Sequence, residues 1–428
     1  MTALAPSSAE GRFNRQDPAE EFDTSLQSSS IDQRVTIRRH FEGPATGAGG
    51  AVFVIKGPSA GHICDFGSAV LRVQGLSCTM TGGVQPRFMD GPTVGNLISQ
   101  FIFRINGRVI VQQTDVALYL QLKDQLRGNP SRSANSAWGI GSATDRQAWA
   151  TQLKSYELPL SLLLPGLDYY PRSFGDFEIE LQLVDTVGPL EATGATTAPS
   201  WTFDSTRSYL AMDVLSVKST AALAGFTDLH LEAFKSSRAN IPAASTQFDH
   251  VAPHRASNLL GVIWCERTAA TLATVTTLNR LQNQIVNNKN QAQFEIANVH
   301  YPPYQIAFTP GTDSTEAYRF FVVGQSGSKH GGADVVSGAL DDLCLTTLSQ
   351  WEGTHPSGIA HNILAIDLRR ADAASNRISG VNTSAVGSDS RLQITYPGAG
   401  ATAATTANLF SVYEVVLRKV GDSVIMDA

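Results

Sequence analysis

His250 and His254 stand four apart, the separation that puts two imidazoles on one helix face in HExxH metallohydrolases. Pro253 lies between them and no Glu follows His250, so the pair reads as structural. His355 and His361 stand six apart around Pro356 and Gly358, which is not a metal-ligand spacing. His40, His62, His230, His300 and His330 are scattered singly, and no HxH pair precedes a carboxylate, so a cupin-type metal site has no local support. Gly324-Gln-Ser-Gly-Ser-Lys329-His330 has the outline of a phosphate loop, but it lacks the Gly before Lys329, and His330 occupies the Ser/Thr position. Gly47-Ala-Gly49-Gly50 fails the GxGxxG spacing and lies between strand patterns, and no GxSxG elbow occurs. Asn382-Thr-Ser384 is a formal glycosylation sequon, but the first residues lack a basic and an apolar signal region, so this chain is expected not to meet that machinery.

Trp138, Trp149, Trp201, Trp264 and Trp351 are widely spread, and the acid pair Asp341-Asp342 reads as a solvated helix face. The clustered aromatics and paired carboxylates of a glycan-acting enzyme are therefore missing. The expectation is no catalytic, cofactor-binding or metal-ligating residue, no cofactor, and a protein that is not an enzyme. Cys64, Cys78, Cys265 and Cys344 form no CxxC pair and read as reduced, buried apolar residues of a protein folded in a cytoplasm. Arg34, Arg38 and Arg39 with His40 make a small basic cluster. It reads either as a contact for an acidic partner, nucleic acid or the arm of a neighbouring copy, or as charges that guard a strand edge, and the second reading is favoured.

The elements that must position these residues are mainly strands. With 428 residues, two domains are expected. Charged residues make up 16%, below the usual quarter or so, and suit a protein that buries much of its surface. A net charge of −6 is not the footprint of a nucleic-acid binder. No apolar run reaches the roughly 18 residues of a membrane-spanning helix. Residues 1–32 are polar, with Glu10, Asp17, Glu20, Glu21, Asp23 and Asp32 outnumbering Arg12 and Arg15. They read as a flexible arm whose acidic charge disfavours direct genome binding.

From Arg34 onward short apolar runs alternate with period two. The expected strands of the first half are Val35–Phe41, Ala51–Lys56, Ala69–Leu76, Phe101–Ile105, Arg108–Gln112, Leu158–Leu164, Phe177–Val184 and Tyr209–Val217. The clearest, Phe177-Glu-Ile-Glu-Leu-Gln-Leu-Val184, places Phe177, Ile179, Leu181 and Leu183 on one face. Asn106-Gly107 supplies a type I′ turn that would pair Phe103 with Ile110 and Ile102 with Val111. A helix is expected from Val116 to Leu126, capped by Asp115 and ended by Gly128 and Pro130. The second half repeats the theme with Leu229–Phe234, Leu259–Cys265, Tyr304–Phe308, Arg319–Val323, Ile363–Leu368, Leu392–Tyr396, Val412–Val420 and Ser423–Met426, and a helical pattern between Asp334 and Trp351. Asp185 to Trp201 shows no strand pattern, and the polar stretch Asn279–Tyr304 has no clear assignment. The domain boundary is expected near Ala222–Thr227, giving an arm over 1–32 and barrels over 33–224 and 225–428.

The order of these features is distinctive. Pro86-Arg-Phe leads through Asn96-Leu-Ile into the Phe101–Val111 hairpin and the helix. Glu157-Leu-Pro-Leu-Ser-Leu-Leu-Leu-Pro165, Tyr170-Pro-Arg172 and Phe177-Glu-Ile-Glu-Leu-Gln-Leu183 follow. His355-Pro-Ser-Gly358, Asn362-Ile-Leu-Ala-Ile-Asp367 and Val412-Tyr-Glu-Val-Val-Leu417 close the chain. This order resembles the double jelly-roll major capsid proteins of tailless icosahedral DNA viruses, the lineage that includes adenovirus hexon, and it covers most of residues 34–426. The resemblance implies an all-β fold of two tandem eight-stranded jelly-roll barrels with short inserted helices. It also implies a homotrimer that forms pseudo-hexagonal capsomers. Its partners would be neighbouring capsomers, minor capsid and vertex proteins, and a membrane beneath the shell; its place would be the virion, after synthesis in the host cytoplasm. The rivals are a shell-plus-protrusion capsid protein of a small RNA virus, disfavoured by the acidic arm, and a tandem jelly-roll glycan-binding protein or enzyme.

Overall fold

The computed structural model describes residues 31–127 (except 60, 84 and 90), 137–218 (except 141–142, 186–187 and 192–195), 223, 227–268, 289–307, 316–317, 363–372 (except 369), 377–420 (except 386–388 and 402) and 423–427. The arm up to residue 30, the strand expected at Arg319–Val323, the helix expected between Asp334 and Trp351, and most of the Ala222–Thr227 boundary lie outside the described residues.

The first half contributes β1 (Ile31–His40), β2 (Val52–Lys56), β3 (Ile63–Thr79), β4 (Ile98–Ile105), β5 (Arg108–Thr114), β6 (Lys154–Pro159), β7 (Phe177–Leu183) and β8 (Ser200–Val217). One sheet runs β1-β8-β3-β6, with Tyr169–Pro171 extending the β6 position, and the other runs β2-β7-β4-β5. The second half contributes β9 (Asp228–Ile241), β10 (Gln247–Ala252), β11 (Leu259–Thr268), β12 (Gln291–Ile296), β13 (Val299–Ala307), β14 (Ile363–Asp367), β15 (Ser390–Thr395) and β16 (Thr405–Val420), and β17 (Ser423–Asp427) adds to β16. Its sheets run β9-β16-β11-β14 and β10-β15-β12-β13. Both halves thus arrange eight antiparallel strands in one permutation, first-eighth-third-sixth against second-seventh-fourth-fifth. That is the double-sheet jelly roll.

Alternation fills each roll. Phe177, Ile179, Leu181 and Leu183 all point into the first core, as the sequence predicts. There Phe66, Phe103, Tyr170 and Phe177 pack with ring centroids 5.1 to 6.3 Å apart. Each such side chain contributes about 1.5–3 kcal/mol by leaving water.

The β4–β5 hairpin departs from its expected register by one residue. Asn106 and Gly107 take φ of 49° and 77°, the turn forms, and Ile105 pairs with Arg108. Arg104 then pairs with Val109, but Phe103 pairs with Val111, so Ile110 is the extra residue of a β-bulge. Strict alternation would send one of two neighbouring residues outward; the bulge lets both Ile110 and Val111 enter the core.

Other expectations are corrected. β8 begins at Ser200, not Tyr209; its alternation is broken by Asp204, whose Oδ1 accepts the N–H groups of Thr206 and Arg207. The Leu158–Leu164 run is a strand only to Pro159, after which Leu160–Leu162 turns into a 3₁₀ helix. β10 and β12 were not expected. Their inward positions are Phe248, His250 and Ala252, and Ala292, Phe294 and Ile296, so small or polar residues dilute the apolar signal. With these two, β17 is an extension and not one of the eight.

A helix joins the rolls. Helix α1 (Val116–Arg127) buries Val116, Tyr119, Leu120 and Leu122. Asp115 precedes it at φ 56°, and its backbone carbonyl accepts the Tyr119 N–H at 3.0 Å. Its carboxylate instead reaches the second roll, where it accepts from Ser236 Oγ of β9 at 2.7 Å and Asn408 Nδ2 of β16 at 3.1 Å. The Tyr119 ring stacks on Phe234 at 3.7 Å and 20°, with Phe410 5.5 Å away. The Pro165 carbonyl accepts the Glu232 N–H at 2.7 Å. Thr405–Tyr413 of β16 are buried on both faces.

Removing the Tyr119 ring should cost about 3–5 kcal/mol, the range for aromatic-to-alanine changes in cores. Urea unfolding of Tyr119→Ala is expected to separate into two transitions, one per roll, whereas Tyr119→Phe keeps one transition and loses about 1 kcal/mol. A single, unshifted transition in the alanine variant would contradict the clamp.

Candidate functional site

His250 and His254 do not form a metal pair. His250 lies on β10 with its ring in the core, 1% exposed; Trp264 Nε1–H donates to its Nδ1 at 3.2 Å, and Ser237 Oγ lies 3.4 Å from Nε2. Burial pushes its pKa down to about 4. His254 is also lowered to about 4, by burial and then by Lys235, and its Nδ1 is buried without a hydrogen-bond partner. The single histidines are local struts: His62 Nδ1 accepts the Val217 N–H at 3.1 Å, His230 Nδ1 lies 2.8 Å from Glu414 Oε1, and His40 packs edge-on to Tyr209. His300 is exposed. Among the described residues no group of three or more His, Cys, Asp or Glu could hold a metal ion. His330, His355, His361, Cys344, Trp351, the Gly324–His330 stretch and Asp341-Asp342 lie outside the described residues.

Cys64, Cys78 and Cys265 are free and buried, and burial pushes each thiol up to about 12, far from a reactive thiolate. Gly47 is not part of a phosphate loop. It faces the Phe203 ring, and a Cβ there would lie 2.1 Å from ring atoms. Asn382 Oδ1 accepts the Ser384 N–H at 2.9 Å and makes a turn.

In the basic cluster on β1 Arg34 is paired with carboxylates, whereas Arg38 and Arg39 contact neutral groups. Arg34 Nε donates to Asp213 Oδ2 at 2.7 Å and its Nη2 reaches Asp65 Oδ2 at 3.2 Å. Thr36 and the Arg34 guanidinium hold the Asp213 pKa below the usual carboxylate range, whereas burial raises that of Asp65. Arg38 lies 4.9 Å over the Tyr209 ring, and Arg39 donates to Ser59 Oγ at 3.1 Å. β1 pairs with β8 along one side, and every one of its residues is half-buried or exposed. That makes it the sheet edge its charges are suited to guard.

Sequence reasoning missed the buried charge clusters, whose members lie far apart in the chain. Glu191, 0% exposed, accepts from Arg87 Nε at 2.7 Å and from Arg146 Nη1 at 2.6 Å. Arg146 comes from helix α2 (Ala143–Ala150) and also donates to the Phe88 carbonyl at 2.6 Å. In the second roll Lys289 Nζ sits 2.9 Å from Glu266 Oε2, with both side chains fully buried, and Thr405 Oγ1 donates to Glu266 Oε1. These groups fasten loops to strands. No nucleophile–base–orienter set was found among the described residues.

Two measurements follow. Glu191→Gln leaves two guanidinium groups facing each other away from water and should lower stability by about 3–5 kcal/mol, whereas replacing Arg87, Arg146 and Glu191 together by Met, Met and Leu should be near neutral, both read by denaturant unfolding. Acid should weaken the second roll. Its buried imidazoles bind protons below the unfolded pKa of about 6.5 only when released, so the stability from keeping them neutral is whole above pH 6.5 and is lost as pH falls toward 4. For His250 the loss approaches about 3 kcal/mol, and His250→Gln should make the pH 6.5–4 limb of a thermal-melt profile shallower, with the remaining slope due to His254.

No family model matches the chain, and no curated protein matches it. Solved structures do. The capsid of the virus PBCV-1 aligns over 92% of this chain and 96% of its own, with 13% identity and a TM-score of 0.57. The Faustovirus major capsid protein aligns over 91% and 90%, with 7% identity and a TM-score of 0.57. A chain of the Sputnik virophage aligns over 93% and 89%, with 10% identity and a TM-score of 0.52. The chain has the double jelly-roll fold of these viral capsid proteins.

Proposed function

We propose that the chain is the major capsid protein of a tailless icosahedral virus and acts as a structural protein, not an enzyme. The observation that carries this reading is the twofold use of one jelly-roll permutation, locked into one body by α1 and matched end to end by the PBCV-1 capsid and the Faustovirus major capsid protein. The domains are the arm and two rolls expected from the sequence, with the arm's end moved from 32 to 30 because Ile31 and Asp32 already belong to β1; no described strand pairing crosses residues 218–227, which supports the division of the rolls near 224.

Three copies would bring six rolls together as a pseudo-hexagonal capsomer, and capsomers would tile the shell. Closed symmetric association suits rolls whose strands are mostly paired internally. The partners are then other copies and minor capsid and vertex proteins. The acidic arm disfavours direct genome contact. The location is the virion, and three buried free thiols fit folding in the host cytoplasm before assembly.

Light scattering on the purified native protein tests the reading. A mass of about 137 kDa, three times the 45.7 kDa chain, is expected. A monodisperse monomer at every salt concentration and pH would overturn it.

A further inference from the structure

The two rolls present the same four-strand sheet to different effect. On β2-β7-β4-β5 the outward rows are Val52, Gln182, Gln100 and Thr114, then Val54, Glu180, Ile102 and Gln112. Ile102 is buried and Arg104 closes on Glu180 at 2.7 Å. On β10-β15-β12-β13 the corresponding rows hold Gln247, Thr395 and Gln291, then Asp249 and Gln393. With Gln305 of β13 these side chains line a half-open hollow of about 200 Å³. Thr395 Oγ1 is buried in this lining without a hydrogen-bond partner.

We propose that this hollow on the second roll binds one ring of a neutral carbohydrate. Its volume is below the roughly 300 Å³ at which pockets for drug-sized ligands begin, so it fits a single ring. Four carboxamides line it, and a carboxamide donates and accepts at once, as a sugar hydroxyl does. Asp249 adds acceptors. Among the described residues no Lys or Arg lines the hollow, so sialic acid or a sulfated sugar would meet Asp249 with no compensating cation. Among the same residues no aromatic ring lines it, so recognition rests on hydrogen bonds, and affinity for one ring falls in the millimolar range. The site goes beyond a structural role in the shell.

The test is saturation-transfer NMR and titration of the native assembled protein with maltotriose, cellotriose, mannotriose, N,N′,N″-triacetylchitotriose and free N-acetylneuraminic acid. At least one neutral trisaccharide should bind, with a Kd on the order of 1 mM, and N-acetylneuraminic acid should not. The double variant Gln291→Ala/Gln393→Ala should weaken that binding at least tenfold. Gln100→Ala/Gln182→Ala, on the matching face of the first roll, should leave it unchanged. Melting temperature and native mass confirm that each variant is folded and assembled. Absence of binding by all four neutral sugars, equal binding of N-acetylneuraminic acid, or binding that survives Gln291→Ala/Gln393→Ala would overturn the site; none of these outcomes bears on capsomer formation, which the native mass reads separately.

Discussion

The contact of Tyr119 with Phe234 and Phe410, together with Asp115 on Ser236 and Asn408, is the constraint on which the rest of the molecule depends. A jelly roll alone presents the outer face of each sheet to water. Here one outer face, that of β9-β16-β11-β14, meets the first roll: the Tyr119 ring lies on Phe234 and Phe410, and Asp115 reaches Ser236 and Asn408. Around that contact Thr405–Tyr413 of β16 are buried on both faces. Two domains that could have been beads on a string thereby share one interior. On the proposed capsid reading this matters for assembly, because a pseudo-hexagonal block requires the two rolls of each copy to keep a fixed relation.

The buried charges extend the same logic to the loops. Glu191 draws Arg87 and Arg146 from distant segments, and Glu266 anchors Lys289 at the start of the strand β12 region. Such pairs contribute little net stability against apolar replacements, but each leaves a heavy penalty if one partner is lost. They therefore specify how long connections lie over the rolls more than they strengthen the rolls. His250 and His254 place a buried, acid-sensitive pair of imidazoles in the second roll.

Much of the fold was legible in the sequence because period-two alternation and one strong turn signal survive in it. Phe177–Leu183 and the Asn106-Gly107 turn are read directly from residue types. The bulge at Ile110 was not, since it conserves composition and shifts only the register. β10 escaped because a histidine hydrogen-bonded to a tryptophan occupies an inward position that is usually apolar. β12 escaped because its inward residues are embedded in a Gln-rich run. Side-chain sites were less legible still. Glu191 meets Arg87 across 104 positions, and the carboxamide hollow is assembled from four separate strands, so no local spacing announces either.

Electron cryo-microscopy of the purified native particle, viewed down its symmetry axis, tests the central claim most directly. The account predicts a threefold particle with a pseudo-hexagonal outline made of six barrels, two per chain in contact through α1. A particle in which the two rolls of a chain take variable relative positions, or one that shows no threefold arrangement of barrels, would contradict it.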